Sequence, residues 1–389
     1  MKFVDVAEFY AEEGGGVRTY INQKLEAGAR AGHEIVIVAP GPEDGEEERL
    51  GGRIVWVKGP TMPFDPRYFV LYSEKKVHQI LDREAPDLVE GSSPWTGGWF
   101  AARWKGNAPR TFIFHSDPVA VYPQTFFSRA IGAQNVDRCF FWYWAYLRWL
   151  SRRFDATVVS GHWLARKLDG FGLSRPVAVP FGIDKDQFSP TRADPAVRAR
   201  ILESCGVGPD AALLVTISRF HPEKRLGTLF EAFRRASQER EMGLVVFGGG
   251  PLDGWVRKRA ARVPGIRLAG YTKDREELAG ILASADAMLH GSAAETYGLV
   301  VAEAICSGLP VIVPNVGGAG DLAGGGHAES YTPGDVRGCT SAILRMLDRD
   351  PAQLKAACAE IARDGIGTMA DHFDGLFELY EGLVREGRG

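Results

Sequence analysis

Two cations five residues apart, Arg219 and Lys224, sit in the stretch Ser218-Arg219-Phe220-His221-Pro222-Glu223-Lys224-Arg225, directly after an apolar run. A guanidinium grips oxygens in pairs and an ammonium acts as a compact point charge, so such a pair suits a diphosphate. Alone it could equally be a solvated basic turn. Two glutamates eight residues apart, Glu295 and Glu303, flank the turn Tyr297-Gly298-Leu299, which opens a segment of helical period. The free amides at that helix start can receive phosphate, and a carboxylate is a natural acceptor for pairs of sugar hydroxyls. As bare acids they could be surface charge or helix-start decoration, but the turn and helix between them give the pair a chemical meaning. Two further loops are candidates for close backbone approach: Phe247-Gly248-Gly249-Gly250-Pro251 and Asn315-Val316-Gly317-Gly318-Ala319-Gly320-Asp321.

These residues need strand ends to hold them. Short β-branched runs at 3–9, 34–39, 53–57, 87–90, 111–115, 157–160 and 177–180 alternate with segments of helical period such as 17–31 and 74–83. A second set begins at 213–218 and continues at 244–248, 266–269, 287–290 and 310–314, with helical segments at 227–238, 253–262, 276–283 and 300–307. Runs this apolar are expected to be covered on both faces, as in parallel sheets joined by right-handed crossovers. The expectation is an α/β chain of two Rossmann-like, doubly wound parallel-sheet domains facing a central cleft. The first spans 1–183 and the second 184–366, with the boundary at Pro180-Phe181-Gly182-Ile183-Asp184. A closing amphipathic helix, about 367–389, is expected to pack back on the first. Ligands bind outside the carboxyl ends of such sheets, where all four motifs fall.

At 389 residues the chain exceeds what one core organises. Its formal net charge of -3 argues against a dedicated nucleic-acid binder. Five scattered cysteines without a C-x-x-C pair give neither a disulfide framework nor a zinc site and suit a reducing compartment. The first sixteen residues carry acids where a secretory signal needs a basic stretch and an apolar run. No window reaches the roughly 18 apolar residues of a membrane span. The expectation is a cytoplasmic protein, soluble or peripheral on the inner face of the cell membrane. Asp184-Lys185-Asp186 and Asp348-Arg349-Asp350 read as solvated acids rather than metal ligands.

The ordered series R-x4-K, glycine-proline turn, E-x7-E and G-L-P-V-I-x-P-x-x-G-G resembles retaining nucleotide-sugar glycosyltransferases of the GT-B fold, specifically glycosyltransferase family 4. The resemblance implies transfer of a hexose from a nucleotide-diphosphate sugar to an acceptor hydroxyl, with no metal or other cofactor required. It implies that Arg219 and Lys224 hold the donor diphosphate and stabilise the departing charge. Glu303 would bind the ribose and Glu295 the donor sugar, with backbone amides of Tyr297, Gly298 and Leu299 on phosphate or sugar. Gly249, Gly270 and Tyr271 would border the nucleotide, Gly15 and Gly16 would face the diphosphate from the first domain, and His115 would lie by the transferred sugar. Retention comes from the family, and no first-domain carboxylate stands out as a nucleophile. Front-face displacement is therefore the expected route. The chain departs from the pattern at Arg225, where many members have glycine, and at Tyr297, where phenylalanine is common.

Rival readings are epimerisation or phosphorolysis on the same scaffold, a non-catalytic nucleotide-sugar-binding subunit, and a dinucleotide oxidoreductase. The combination of E-x7-E with R-x4-K argues against the first two. Ala39-Pro40 at the end of the second strand argues against the third, which needs an acid there. The acceptor side is less defined. Residues 122–153 interleave rings with arginines, among them Phe126, Phe127, Arg138, Trp142, Trp144, Arg148, Trp149, Arg152 and Arg153. This suits an anionic membrane surface and a lipid or lipid-linked saccharide acceptor. It also suits a buried helix whose arginines snorkel, with a soluble acceptor. Both readings stand at this point.

Overall fold

The computed structural model describes residues 1–11, 16–62, 65–272 and 274–387. The first lobe holds β1 (Lys2–Val6), β2 (Glu34–Gly41), β3 (Gly45–Arg49), β4 (Gly52–Lys58), the small hairpin β5 (Thr61–Met62) and β6 (Asp65–Phe69), β7 (Leu88–Gly91), β8 (Arg110–Ile113), β9 (Ala156–Val159) and β10 (Pro176–Ala178). Its helices are α1 (Gly16–Arg30), α2 (Glu74–Glu84), α3 (Thr96–Arg103), α4 (Pro118–Val121), α5 (Pro123–Ile131), α6 (Ala133–Cys139), α7 (Phe141–Ser151) and α8 (His162–Gly170). Its main sheet runs in the order β10-β9-β8-β7-β1-β2-β4-β3. Every pairing in it is parallel except β3 with β4.

The second lobe carries β11 (Ala212–Ile217), β12 (Met242–Phe247), β13 (Ile266–Gly270), β14 (Ala287–Leu289), β15 (Val311–Pro314) and β16 (Ala328–Tyr331). They form one parallel sheet, β13-β12-β11-β14-β15-β16. The helices are α9 (Pro195–Cys205), α10 (Leu226–Ala236), α11 (Asp253–Ala260), α12 (Arg275–Ser284), α13 (Leu299–Cys306), α14 (Gly317–Asp321), α15 (Val336–Leu347) and α16 (Pro351–Asp364), followed by α17 (Met369–Gly387).

The sequence pattern explains the layers. The central strands β1, β2, β7, β11 and β12 are almost wholly buried, which suits the apolar runs of β2, β11 and β12, while β1 and β7 each bury one acid, Asp5 and Glu90. Edge strands read differently. Strand β13 alternates burial residue by residue, and β3, Gly-Glu-Glu-Glu-Arg, blunts its edge with charge. That acid-rich composition explains why β3 is invisible to an apolar-run reading, as is the polar edge strand β16.

Several strands stop short of their expected ends. Phe9 does not end a strand, because β1 finishes at Val6 and Glu8 leaves the ladder to serve the start of α3. Its carboxylate accepts from Ser93 Oγ at 2.5 Å, Thr96 Oγ1 at 2.7 Å and the Gly97 amide at 3.2 Å. Strand β8 ends at Ile113 and β11 at Ile217, so His115 and Arg219 each sit two residues out in the loops.

Two crossings join the lobes, and they touch each other. The Ile183 amide donates to Gly367 O at 2.9 Å. Ile183 and Phe188 pack into the second lobe's core, whereas Phe373, Phe377 and Tyr380 of α17 pack with Phe3, Ile35 and Ile113 of the first. The Tyr380 hydroxyl donates to the buried Glu90 carboxylate. Glu90 and Asp5 together hold Lys24 Nζ, at 2.6 and 3.1 Å, in a fully buried cluster.

The aromatic segment divides between core and surface. Tyr143, Trp144, Leu147 and Leu150 are buried, and Trp144 stacks on Phe171 at 4.0 Å. Arg148 donates to Phe171 O at 3.2 Å, and Arg153 covers the Trp149 ring at 3.6 Å. Those two arginines serve packing rather than a free basic face. The outward rings are Tyr122, Phe126 and Phe127 on or beside α5, and Phe141 and Trp142 on α7. Among the described residues no helix is long and apolar enough to cross a membrane.

Candidate active site

In each sheet the strand order reverses beside one strand, and the loops leaving the two neighbours diverge to open a crevice. In the second lobe that point lies between β11 and β14. The β11 loop carries Arg219 and Lys224, and the β14 loop carries Glu295. In the first lobe the reversal lies between β1 and β7. The loop after β1 leads to Gly16, the first residue of α1. Gly15 and Gly14 lie outside the described residues.

The β11 loop closes in a 3-10 turn, Pro222–Lys224. Lys224 Nζ donates to Glu295 Oε1 at 2.5 Å, and His290 Nε2 stands 3.4 Å from the same oxygen. Burial opposes ionisation of Glu295, but the adjacent His290 and the Lys224 charge outweigh it and hold the carboxyl well below the usual range. Arg219 is exposed beside this cluster, and with Lys224 it adds to the burial that depresses the His221 pKa. Arg225 turns the other way. It occupies the left-handed region at φ 48°, its guanidinium reaches Glu223 O at 3.3 Å, and burial lowers its pKa. The backbone conformation accounts for glycine being common at this position, and the extra cation does not join Lys224.

Glu303 lies on α13 as expected, with Gly298 as its left-handed cap at φ 99°. Its Oε1 accepts from Arg275 Nη2 at 2.9 Å. Burial pushes this carboxyl above the usual range, with Arg275 opposing. Tyr297 is buried and Leu299, where the helix begins, is half exposed. The α14 loop packs beneath this turn. The Gly318 amide donates to Glu295 O at 2.7 Å, and a Cβ at Gly318 would come within 2.5 Å of the Tyr297 backbone. Glycine there serves chain-on-chain packing rather than ligand approach.

The same correction applies to part of the glycine-proline turn. At Gly248, φ is 139° and an added Cβ would collide with the Ser218 carbonyl at 1.8 Å, so this glycine lets two backbones meet. Gly249 is different: a Cβ there would make only ordinary contacts, 3.7 Å from Asp253 Oδ1 and 4.0 Å from the Tyr271 Cβ. Gly270 ends β13 and Tyr271 follows, 73% exposed.

His115 approaches from the first lobe. Thr296 Oγ1 donates across the junction to His115 O at 3.0 Å. Its ring packs on Phe181 and Tyr20, with centroids at 5.0 and 5.9 Å. Both ring nitrogens are buried without a hydrogen-bond partner, and burial lowers the pKa to about 3, so the imidazole is neutral. The structure therefore brings His115, Thr296, Glu295 and Lys224 into one run across the cleft, with Glu303 on α13 paired to Arg275 at the start of α12.

Sequence reasoning missed several members of this arrangement. His290 ends the apolar run of β14, and its position at the reversal is a usable signal. Phe181 bridges the lobes by touching His115 and Tyr297, with centroids at 5.0 and 6.0 Å. Asp321 accepts from the Trp163 amide and from Arg166 Nη2 (2.5 Å), pinning α14 to α8. Nothing in the local sequence of Phe181 or Asp321 marks these distant partners. Asp184 caps its own turn, accepting from the Asp186 and Gln187 amides, and Asp350 caps α16.

Comparison with known proteins follows the same division into lobes. Residues 14–187 match the family model described as Glycosyltransferase Family 4, and residues 211–349 match Glycosyl transferases group 1. A GDP-mannose-dependent alpha-mannosyltransferase of Mycobacterium tuberculosis (strain CDC 1551 / Oshkosh) is 30% identical over 333 residues, covering 82% of this chain and 80% of the relative. A GDP-mannose-dependent alpha-(1-6)-phosphatidylinositol dimannoside mannosyltransferase of M. tuberculosis (strain ATCC 25177 / H37Ra) is 26% identical over 316 residues, covering 80% and 79%. Among solved structures, sucrose-phosphate synthase from Thermosynechococcus elongatus superposes with a TM-score of 0.75 at 20% identity, covering 99% of this chain and all of that one. That likeness is one of fold.

Proposed function

We propose that this chain, which belongs to glycosyltransferase family 4 and is a glycosyltransferase of GT-B fold, moves a hexose from a nucleoside diphosphate sugar to a hydroxyl of a lipid-linked acceptor, with retention. GDP-mannose is the donor to try first, because two relatives are named as dependent on it. An inositol lipid is the acceptor to try first, since one of them is named for a phosphatidylinositol dimannoside. The observation that carries the reading is the Lys224–Glu295–His290 cluster at the reversal of one sheet, linked through Thr296 to the His115 carbonyl of the other.

Breaking the sugar–phosphate bond leaves growing negative charge on the diphosphate. Lys224, Arg219 and the amides opening α13 meet that charge where it develops, the arrangement that lowers a barrier most. Glu295, held ionised, accepts hydroxyls of the hexose, and Glu303 those of the ribose. A neutral His115 offers one donor and one acceptor to the sugar, which satisfies nitrogens that are costly to leave bare. The acceptor hydroxyl enters on the face the phosphate leaves, and the phosphate takes its proton. The exposed rings of α5 and α7 seat this lobe on lipid at the inner face of the membrane, with the acceptor headgroup rising into the cleft.

The test is transfer from GDP-mannose, UDP-glucose and UDP-galactose into phosphatidylinositol mannoside vesicles, with the anomeric configuration of the product read by NMR. An α-linked product from an α-linked donor is expected. A β-linked product overturns retention, and an absence of transfer from every nucleoside diphosphate hexose overturns the donor assignment.

A further inference from the structure

Arg275 occupies an unexpected place. It is the first residue of α12, where a cation opposes the helix dipole and where Glu276 and Glu277 follow as the normal acids. Three contacts hold it there. Its Nη2 donates to Glu303 Oε1 at 2.9 Å, its Nε donates to Gln187 Oε1 at 2.9 Å, and its guanidinium lies 5.0 Å from the centre of the Phe188 ring. Phe188 is buried in the second lobe's core, so the platform under the guanidinium is fixed. Gln187 and Phe188 belong to the segment that has just crossed between the lobes. Arg275 also stands four residues beyond Tyr271, at the carboxyl end of β13.

Glu303 alone is a poor receptor for a diol. Its side chain is 13% exposed, and burial favours the protonated acid, which accepts fewer hydrogen bonds. The Arg275 bond engages one carboxylate oxygen and fixes the plane of the group. The other oxygen keeps its lone pairs for the ligand.

We propose that Arg275 is a positioning residue of the nucleoside half of the site, holding Glu303 in the orientation that receives the 2′,3′-diol of a ribonucleoside diphosphate. The proposal rests on the assignment of Glu303 to the ribose. It gives the interdomain segment a share in donor recognition, because the same guanidinium is anchored on Gln187 and Phe188. Nothing in E-x7-E or R-x4-K marks this arginine, which lies outside both motifs.

The experiment is calorimetric titration of the full chain with GDP or, where GDP does not bind, UDP, each against its 2′,3′-dideoxy analogue, on wild type, Arg275→Ala, Arg275→Lys and Glu303→Gln, each checked for an unchanged melting curve. Wild type should prefer GDP by tenfold or more, the range of a hydrogen bond to a charged group. Arg275→Ala should lose about tenfold for GDP and almost nothing for the dideoxy compound, so that the preference vanishes as in Glu303→Gln. Arg275→Lys should restore part of it. A full diol preference in Arg275→Ala overturns the role of Arg275 alone. A wild type that binds neither GDP nor UDP, or binds without regard to the diol, overturns the ribose assignment of Glu303 and this proposal with it.

Discussion

The two lobes face the same cleft with opposite preparations. In the second lobe the charged groups are already paired: Lys224 with Glu295, and Arg275 with Glu303. In the first, His115 presents buried nitrogens without partners, and the helices beyond it leave Tyr122, Phe126, Phe127, Phe141 and Trp142 in the open. Paired charges on the loops and helices that follow strands keep their geometry while they wait and exchange partners when a ligand arrives. Exposed rings on helices suit a broad surface whose partner need not be placed to a fraction of an ångström. The second lobe's site is therefore written in fixed spacings and the first lobe's surface in composition.

The largest break in this comparison is expected at Lys224. In the Lys224→Ala variant the diphosphate loses its fixed point charge and Glu295 its counterion, and kcat should fall by about 10²–10³-fold, as for loss of one preorganised charge-stabilising donor. Circular dichroism should match wild type, since Lys224 lies at the cleft. Near wild-type transfer by the folded variant would remove the second lobe's loops from the chemistry.

A smaller effect is expected from the paired change Phe126→Asp with Phe127→Asp. Each ring is about 60% exposed, so the fold loses little, while burial in lipid would contribute roughly 1.5–3 kcal/mol per ring. Sedimentation with anionic vesicles should weaken by at least about tenfold per ring, and transfer to a water-soluble acceptor fragment should be unchanged. Equal vesicle binding by the variant and wild type would sink the lipid-facing role of α5. Arg148 is a poor choice for this test because its guanidinium is tied to Phe171 O.

Legibility followed the same division. The fold could be read because parallel strands buried on both faces must be continuous apolar runs, as in 34–41 and 242–247. Arg219, Lys224, Glu295 and Glu303 could be read because each follows such a run at a fixed offset. Arg275 and Asp321 could not, because their meaning is a partner brought in by the tertiary fold. Glu303 is 28 residues from Arg275, and Asp321 is 155 from Arg166. Glycines misled in a different way. Gly248 and Gly318 look like ligand-facing loop residues, yet their missing Cβ makes room for the chain's own backbone. Composition likewise could not say which rings of 122–153 are core, because in that stretch both faces of the helices are aromatic.

A third expectation concerns stability against pH and isolates His115 from the paired charges opposite. Burial lowers its folded pKa to about 3 from an ordinary 6.5. Below pH 6.5 the unfolded chain takes up a proton that the folded chain refuses, so stability falls with falling pH down to about 3 and is flat above 6.5. In His115→Phe, which suits the surrounding Phe181 and Tyr20 rings, that share disappears. The slope of unfolding free energy between pH 4 and 6 should drop by about 1.4 kcal/mol per pH unit. Denaturant titrations at three pH values would measure it, and parallel curves for variant and wild type would mean that the imidazole ionises freely.

The smallest effect is expected at Arg225, and it sharpens the comparison because it separates cations by direction rather than by sequence. Arg225 adjoins Lys224, so proximity alone would place both on the diphosphate. Its φ of 48° costs an L-residue roughly 1 kcal/mol, and its guanidinium is partly buried against Glu223 O rather than in the cleft. Arg225→Gly relieves the backbone and removes a buried charge, losing one long hydrogen bond in exchange. The variant should be more stable by about 1 kcal/mol, with the donor KM and kcat unchanged. A rise in donor KM comparable to that of Lys224→Ala would mean that Arg225 swings to the diphosphate when donor binds, and the second lobe would then count three cations at the leaving group instead of two.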